Sequence, residues 1–225
     1  MLITISGPQS SGKTTALKFV RKTYPTIPVI SETDVRTIAG ENHLGGAFVT
    51  KHEQELILQK DIEIISSFDR DISYVVFECG IMHMIYAEEQ FGEKEIQNYY
   101  DQFISAHSKL KTTVFFIDTL PEISWKRRKK IYRERISKAG IINPSEVKKM
   151  MKTYRTTIFS RYPLWKKWIR KLPFQKIIIE NNHNSEKKFL EDFKKVFEKL
   201  ISSRPSPPLR QLADRGGLRW GLTLE

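Results

Sequence analysis

The sequence predicts an α/β fold, with a parallel sheet of about five strands covered by helices on both faces. Two observations carry this. Short apolar, β-rich runs recur at residues 2–6, 27–31, 74–79, 112–118 and 176–180, with helical patterns between them, and such alternation builds parallel sheets from strand-helix-strand units. The runs Val75-Val76-Phe77 and Val114-Phe115-Phe116-Ile117 are nearly continuous rather than alternating, as strands buried on both sides require. A chain of 225 residues with 40% hydrophobic content can bury one sizeable core. One domain over residues 1–202 is therefore expected.

The first strand leads into Gly7-Pro8-Gln9-Ser10-Ser11-Gly12-Lys13-Thr14-Thr15, a phosphate-binding loop between a strand and a helix, which makes the expected fold a P-loop NTPase. Gly7 and Gly12 let the backbone turn tightly with its N–H groups toward phosphate. Lys13 reaches the outer phosphates, and the Thr14 hydroxyl is placed for Mg²⁺. The helix that follows, with Ala16, Leu17, Phe19 and Val20 at helical spacing, adds the positive end of its dipole.

In open α/β sheets ligands bind at the carboxyl ends of the strands. Four of the five runs lead directly to polar residues there: the phosphate loop, Glu32 with Asp34 and Arg36, Glu78, and Asp118. Glu32 is the preferred proton acceptor for a substrate hydroxyl, with Arg36 for an anionic or polar end. Asp34 reads equally as the N-cap of a helix beginning near Val35. Glu78, ending the third strand, suits Mg²⁺ or substrate, or is a solvated strand-end carboxylate. On the helix over 53–67, Gln59 reads either as a reader of a nucleobase edge or as a solvent-facing residue.

After the fourth strand, residues 121–135 carry basic residues on several faces of one helix. An arginine-rich helical lid closing over ATP accounts for them, and a nucleic-acid patch is the competing account. The aromatics Tyr154, Phe159, Tyr162, Trp165 and Trp168, interleaved with Arg155, Arg161, Lys166, Lys167 and Arg170, fit either base stacking or core packing. The loop after the fifth strand, with Asn181 and His183, belongs near the adenine if this fold is right. Residues 203–225 change composition to Pro, Arg, Gly and Leu and read as a flexible tail.

The formal charge of +12, from 38 basic and 26 acidic residues, favours anionic partners. A single cysteine excludes internal disulfides and a cysteine cluster, which points to a reducing cytoplasm. The histidines show no zinc-like spacing. No signal peptide or membrane-spanning run is evident, and oligomeric state is left open.

With these residues in place the chain resembles the P-loop kinases of small metabolites, nearest to the deoxynucleoside and thymidylate kinase group and the nicotinamide riboside kinase type. The resemblance spans about residues 1–200, and its specific part is the phosphate loop. It implies that Glu32, Gln59 and Glu78 match the family's base, nucleobase-reading glutamine and third-strand acid. The stretch from Pro121 to Arg133 matches the lid, which implies that Arg127 and Arg133 face the phosphates. Cys79 stands where an arginine would follow the third-strand acid, and Ile131 replaces a lid arginine. The expected activity is Mg²⁺-dependent transfer of the ATP γ-phosphoryl group to a nucleoside, nucleotide or similar small metabolite. The alternative is a nucleic-acid-associated ATPase or a kinase of polynucleotide ends. A GTPase lacks its guanine-reading Asn-Lys-x-Asp stretch here.

Overall fold

A computed structural model describes residues 1–203 except Asp71 and Asn184. Apart from Ser203, the expected tail lies outside the described residues.

Five strands form one parallel sheet: β1 (Leu2–Ser6), β2 (Val29–Ile30), β3 (Val75–Glu78), β4 (Thr112–Asp118) and β5 (Gln175–Glu180), in spatial order β2-β3-β1-β4-β5. β1 is central, with Ile3 opposite Val76 on one side and Thr113 on the other. The chain builds outward from β1 in both directions. Strand order thus reverses beside β1, where its carboxyl end opens a crevice.

Among the described residues eight α-helices accompany the sheet: α1 (Lys13–Thr23), α2 (Val35–Ala39), α3 (Lys51–Ser66), α4 (Met84–Ala87), α5 (Glu93–His107), α6 (Pro121–Lys138), α7 (Pro144–Lys171) and α8 (Glu186–Ser202). Alternate strand residues meet different helix layers, as the two-residue period of a strand dictates. Ile3, Ile5, Val76, Phe115 and Ile117 pack with Ala16, Leu17 and Val20 of α1 and with Phe189, Phe193 and Phe197 of α8. Leu2, Val75, Phe77, Val114 and Phe116 face Leu58 and Ile65 of α3, Phe103 of α5 and Trp165 and Trp168 of α7. Both faces being covered explains why β1, β3 and β4 are buried at every position.

Tyr154, Trp165 and Trp168 are core residues, none more than 2% exposed. Trp165 stacks on Phe116 and the Tyr154 ring on Tyr132, so these rings are buried in protein contacts rather than presented to bases. A third cluster joins α6 to α7 through Tyr132, Ile136, Tyr154 and Ile158. It seats the basic helix over the carboxyl edge of the sheet.

Local signals account for the helix starts. Thr50 and Glu53 form a reciprocal capping box at α3, with the Thr50 N–H donating to Glu53 Oε2 at 2.7 Å. The Asp34 carboxylate caps α2 by accepting the Arg36 N–H at 3.0 Å. No helix among the described residues is long and apolar enough to cross a membrane.

Candidate active site

A cleft of about 850 Å³ opens at the carboxyl ends of β1, β2 and β3, between the phosphate loop, α2, α3 and α6. One wall is the loop itself. Gly7 has φ +155°, and a Cβ there would stand 2.4 Å from the Ile117 carbonyl oxygen. Gly12, at φ +111°, would place one 2.9 Å from both Asn181 Nδ2 and Phe189 Cε1. Both positions need glycine, for space and for backbone. Gly12 caps α1, so the loop's N–H groups and the helix N-terminus face the same space. The Lys13 ammonium curls over the loop, donating to the Gly7 carbonyl at 3.0 Å.

The opposite wall carries the acids. Glu32 follows β2 and Glu78 ends the neighbouring β3, so the two carboxylates meet at one edge, where the Glu32 N–H donates to Glu78 Oε2 at 3.4 Å. Burial acts to raise Glu32, but the adjacent His83 ring and the charge of Lys13 outweigh it and hold its pKa at about 2. Glu78 is raised, by burial and then by the charge of Glu32. Environments that push two neighbouring carboxyls apart suit them to different tasks. Thr14 and Glu78 both line the cleft. Their hydroxyl and carboxylate oxygens are the hard donors Mg²⁺ takes, and a cation there would relieve the repulsion between the two acids.

Beneath Glu32 lies a buried chain of groups. His83 Nε2 stands 3.8 Å from Glu32 Oε2, while Nδ1 meets Asp61 Oδ2 at 2.5 Å. The Thr33 hydroxyl donates to the other oxygen of Asp61 at 2.9 Å. Burial opposes charge on His83, but Cys79 and Asp61 more than offset it and raise the ring well above its ordinary value. Asp61, fully buried, is raised because burial outweighs the pull of His83.

The sequence-predicted residues divide into three groups. Glu32, Arg36, Glu78 and much of the phosphate loop, including Gln9, Ser10, Gly12, Lys13, Thr14 and Thr15, line one cleft. Arg36 is already engaged there by the Asp34 carboxylate, its Nε donating at 3.0 Å. Arg127 and Asn181 act behind the loop instead. Arg127 donates to the Ser10 carbonyl at 3.2 Å and to the His183 carbonyl and Asn181 Oδ1, and Asn181 Nδ2 donates to the Ser11 carbonyl at 2.6 Å. These bonds tie the loop to α6 and to the segment after β5.

Gln59 and Arg133 stand outside the cleft. Both are exposed, with Gln59 in a separate shallow hollow beside Ile38 and Glu63. Helix geometry explains each position. The cleft is lined by Gln54 of α3 and by Arg128 and Arg135 of α6. Positions five apart differ by about 140° around a helix, whereas positions seven apart nearly coincide. Gln59 is five residues after Gln54, and Arg133 five after Arg128. Arg128 and Arg135 share one face, with Tyr132 between them joined to the Gln9 side chain.

No protein-family model matches this sequence. No curated protein matches it by sequence. Among solved structures, a deoxyadenosine kinase from M. mycoides with bound dATP superposes with a TM-score of 0.59 at 15% identity, covering 89% of this chain and 99% of that one. A structure of deoxyadenosine kinase from M. mycoides with products dCMP and a flexible dCDP bound gives 0.54 at 16% identity, covering 91% and 100%. The chain shares its overall fold with these deoxyadenosine kinase structures.

Within that fold the residues that sequence reasoning passed over are Gln54, Asp61, His83, Arg128 and Arg135. For two of them a signal existed. The buried stripe of α3 is Gln54, Ile57, Leu58, Asp61 and Ile65, a helical period in which two polar residues interrupt an apolar face. A glutamine or aspartate on such a stripe points into the protein or into a site. Gln54 is 1% exposed and its Nε2 is buried with no protein partner.

Proposed function

We propose that this protein transfers the γ-phosphoryl group of ATP to a hydroxyl group of a nucleoside or nucleotide. The observation that carries the reading is the shared cleft, in which a phosphate loop faces two strand-end carboxylates, with Gln54 beyond them as an unpaired amide. Gly7 to Thr15 and Lys13 hold the phosphates. Gln54 hydrogen-bonds the base edge of the acceptor, which fits a buried amide otherwise left unsatisfied. Tyr86, which also lines the cleft with Arg161 over its ring, supplies an aromatic wall.

Phosphoryl transfer asks the protein mainly for position and charge. The acceptor oxygen bonds to the γ-phosphorus as the bond to the β,γ-bridging oxygen breaks and ADP leaves. The acceptor hydroxyl proton passes to Glu32, which is ionised throughout the neutral range. His83, held by Asp61, positions that carboxylate. Arg128 and Arg135 face the charge that develops on the transferring group, and Lys13 neutralises it from the loop side. Thr14 and Glu78 would hold Mg²⁺, which would supply further neutralisation of phosphate charge.

The solved neighbours were captured with dATP, dCMP and dCDP, so the testing panel begins with deoxynucleosides. ATP consumption by the full chain with Mg²⁺ is measured across deoxynucleosides, ribonucleosides, their monophosphates, nicotinamide riboside and short RNA and DNA ends. Turnover that depends on one small acceptor supports the reading and identifies the substrate. Turnover stimulated only by nucleic acid overturns it.

A further inference from the structure

We propose that Glu32, Cys79 and His83 form a binding site for a zinc-class divalent cation, and that its occupation closes the acceptor end of the cleft. The donors arrive from two strand ends. Glu32 follows β2, and Cys79 follows β3 in the turn that leads directly to His83. A carboxylate oxygen, the thiol sulfur and a ring nitrogen all lie within 4.8 Å of one another. Linear spacing conceals this, because the first donor comes from a different strand.

Four features fit a metal better than a chance cluster. The set contributes one oxygen, one sulfur and one nitrogen, which selects a borderline cation such as Zn²⁺ over the Mg²⁺ of the phosphate side. His83 Nε2 and Glu32 Oε2 are 3.8 Å apart, against about 3.3 Å for two such ligands on a tetrahedral ion, so little movement is needed. The Glu32 side chain is 40% exposed and reaches the site from the cleft side, whereas His83 and Cys79 are buried in the core. Asp61 binds Nδ1 of His83 and so directs Nε2 at the site, the outer carboxylate that metal-binding histidines characteristically have, and binding would release the Nε2 and thiol protons to water. Three protein ligands leave a fourth position, and Glu32 and His83 line the cleft.

The binding claim stands independently of the kinase reading; the inhibitory claim rests on it. With the cation bound, Glu32 is a ligand and cannot receive the acceptor proton, and the ion fills the space beside it. Zinc then competes with the acceptor and leaves ATP affinity unchanged.

Cobalt(II) gives the test a readout apart from activity. Cys79 is the only cysteine in the chain, so a thiolate-to-cobalt charge-transfer band in the near ultraviolet has one possible source. The full chain, freed of metal by a chelator, is titrated with Co²⁺ alone, then with Zn²⁺ against the cobalt form. The expected result is that band at one equivalent, its loss on adding zinc, and a rise of about 10-fold in apparent acceptor KM with zinc at about ten times its Kd. Cys79→Ser, outside the phosphoryl-transfer machinery, should lose the band and bind zinc at least about 10-fold more weakly while keeping its turnover. Should that variant not fold, Glu32→Gln serves, retaining the band with an affinity about 10-fold lower. Absence of the band, or a band with the apparent acceptor KM unmoved by zinc, overturns the proposal. If the chain shows no kinase turnover at all, the cobalt titration still decides the binding claim, and the two readings fail separately.

Discussion

Replacing Gln54 by methionine should make the protein more stable and a poorer enzyme at once. The Gln54 side chain is 1% exposed on the buried face of α3, and its Nε2 has no partner. A buried donor without a hydrogen bond costs about 1–3 kcal/mol relative to an apolar group of the same shape. Methionine has nearly the same length and volume, so little packing is lost. The expected gain is about 1–2 kcal/mol, a rise of about 3–6 °C in Tm for a domain of this size. In the proposed complex the same amide would meet the acceptor base. Losing that hydrogen bond and leaving the base edge unpaired would remove about 1–3 kcal/mol of acceptor binding, or about 5- to 150-fold in acceptor KM. The KM for ATP stays within about two-fold, because Gln54 lies across the cleft from the phosphate loop. Urea denaturation and steady-state kinetics on the variant measure both halves. A variant that loses stability and keeps its acceptor KM would refute the argument, showing Gln54 to be a structural residue whose amide is satisfied within the protein.

Arg128→Ala and Arg135→Ala should each lower kcat about 100-fold, by analogy with removal of one positioned donor to a transition-state charge, whereas Arg133→Ala, on the exposed side of α6, stays within about two-fold. Steady-state assays of the three separate the helix faces. Gly12→Ala places a methyl group against Asn181 and Phe189 at a left-handed φ, and nucleotide binding measured calorimetrically should fall at least about 10-fold with the fold retained. His107, 2% exposed, has its pKa pushed down to about 4 by burial. The unfolded chain binds the proton first, near 6.5. The stabilising difference is therefore complete above that value and is lost as pH falls from about 6.5 to about 4, amounting to about 3 kcal/mol. Denaturation across that window should show a slope that His107→Leu removes.

The sheet was legible because buried parallel strands leave nearly continuous apolar runs, and Val114-Phe115-Phe116-Ile117 sits in the centre of β4 as its pattern requires. The second strand was harder. Only Val29–Ile30 pair within the expected run over 27–31, because a short edge strand needs few apolar residues. The turn from β1 into α1 was legible because its signal is contiguous, with Gly7 and Gly12 standing where the backbone needs glycine. Gln54 and His83 were less so. Choosing Gln54 over Gln59 requires knowing which face of α3 meets the sheet, and the isoleucines at 57, 62, 64 and 65 cover more than one face. His83 comes beside Glu32 only when the turn after β3 brings it there, since Glu32 belongs to another strand. Arg127 illustrates a further limit. It lies beside Arg128 in sequence and about 100° away on the helix, so one arginine supports the loop from behind while the other faces the cleft.

The central claim is that one cleft holds ATP and its acceptor together and moves a phosphoryl group between them. The direct measurement follows ATP labelled at its γ-phosphate, with the full chain, Mg²⁺ and the best acceptor from the panel, beside the Lys13→Ala variant. The account predicts the label on the acceptor hydroxyl in the unaltered protein and almost none transferred by the variant, which stays folded. Label released only as inorganic phosphate, or transfer undiminished in Lys13→Ala, would contradict it.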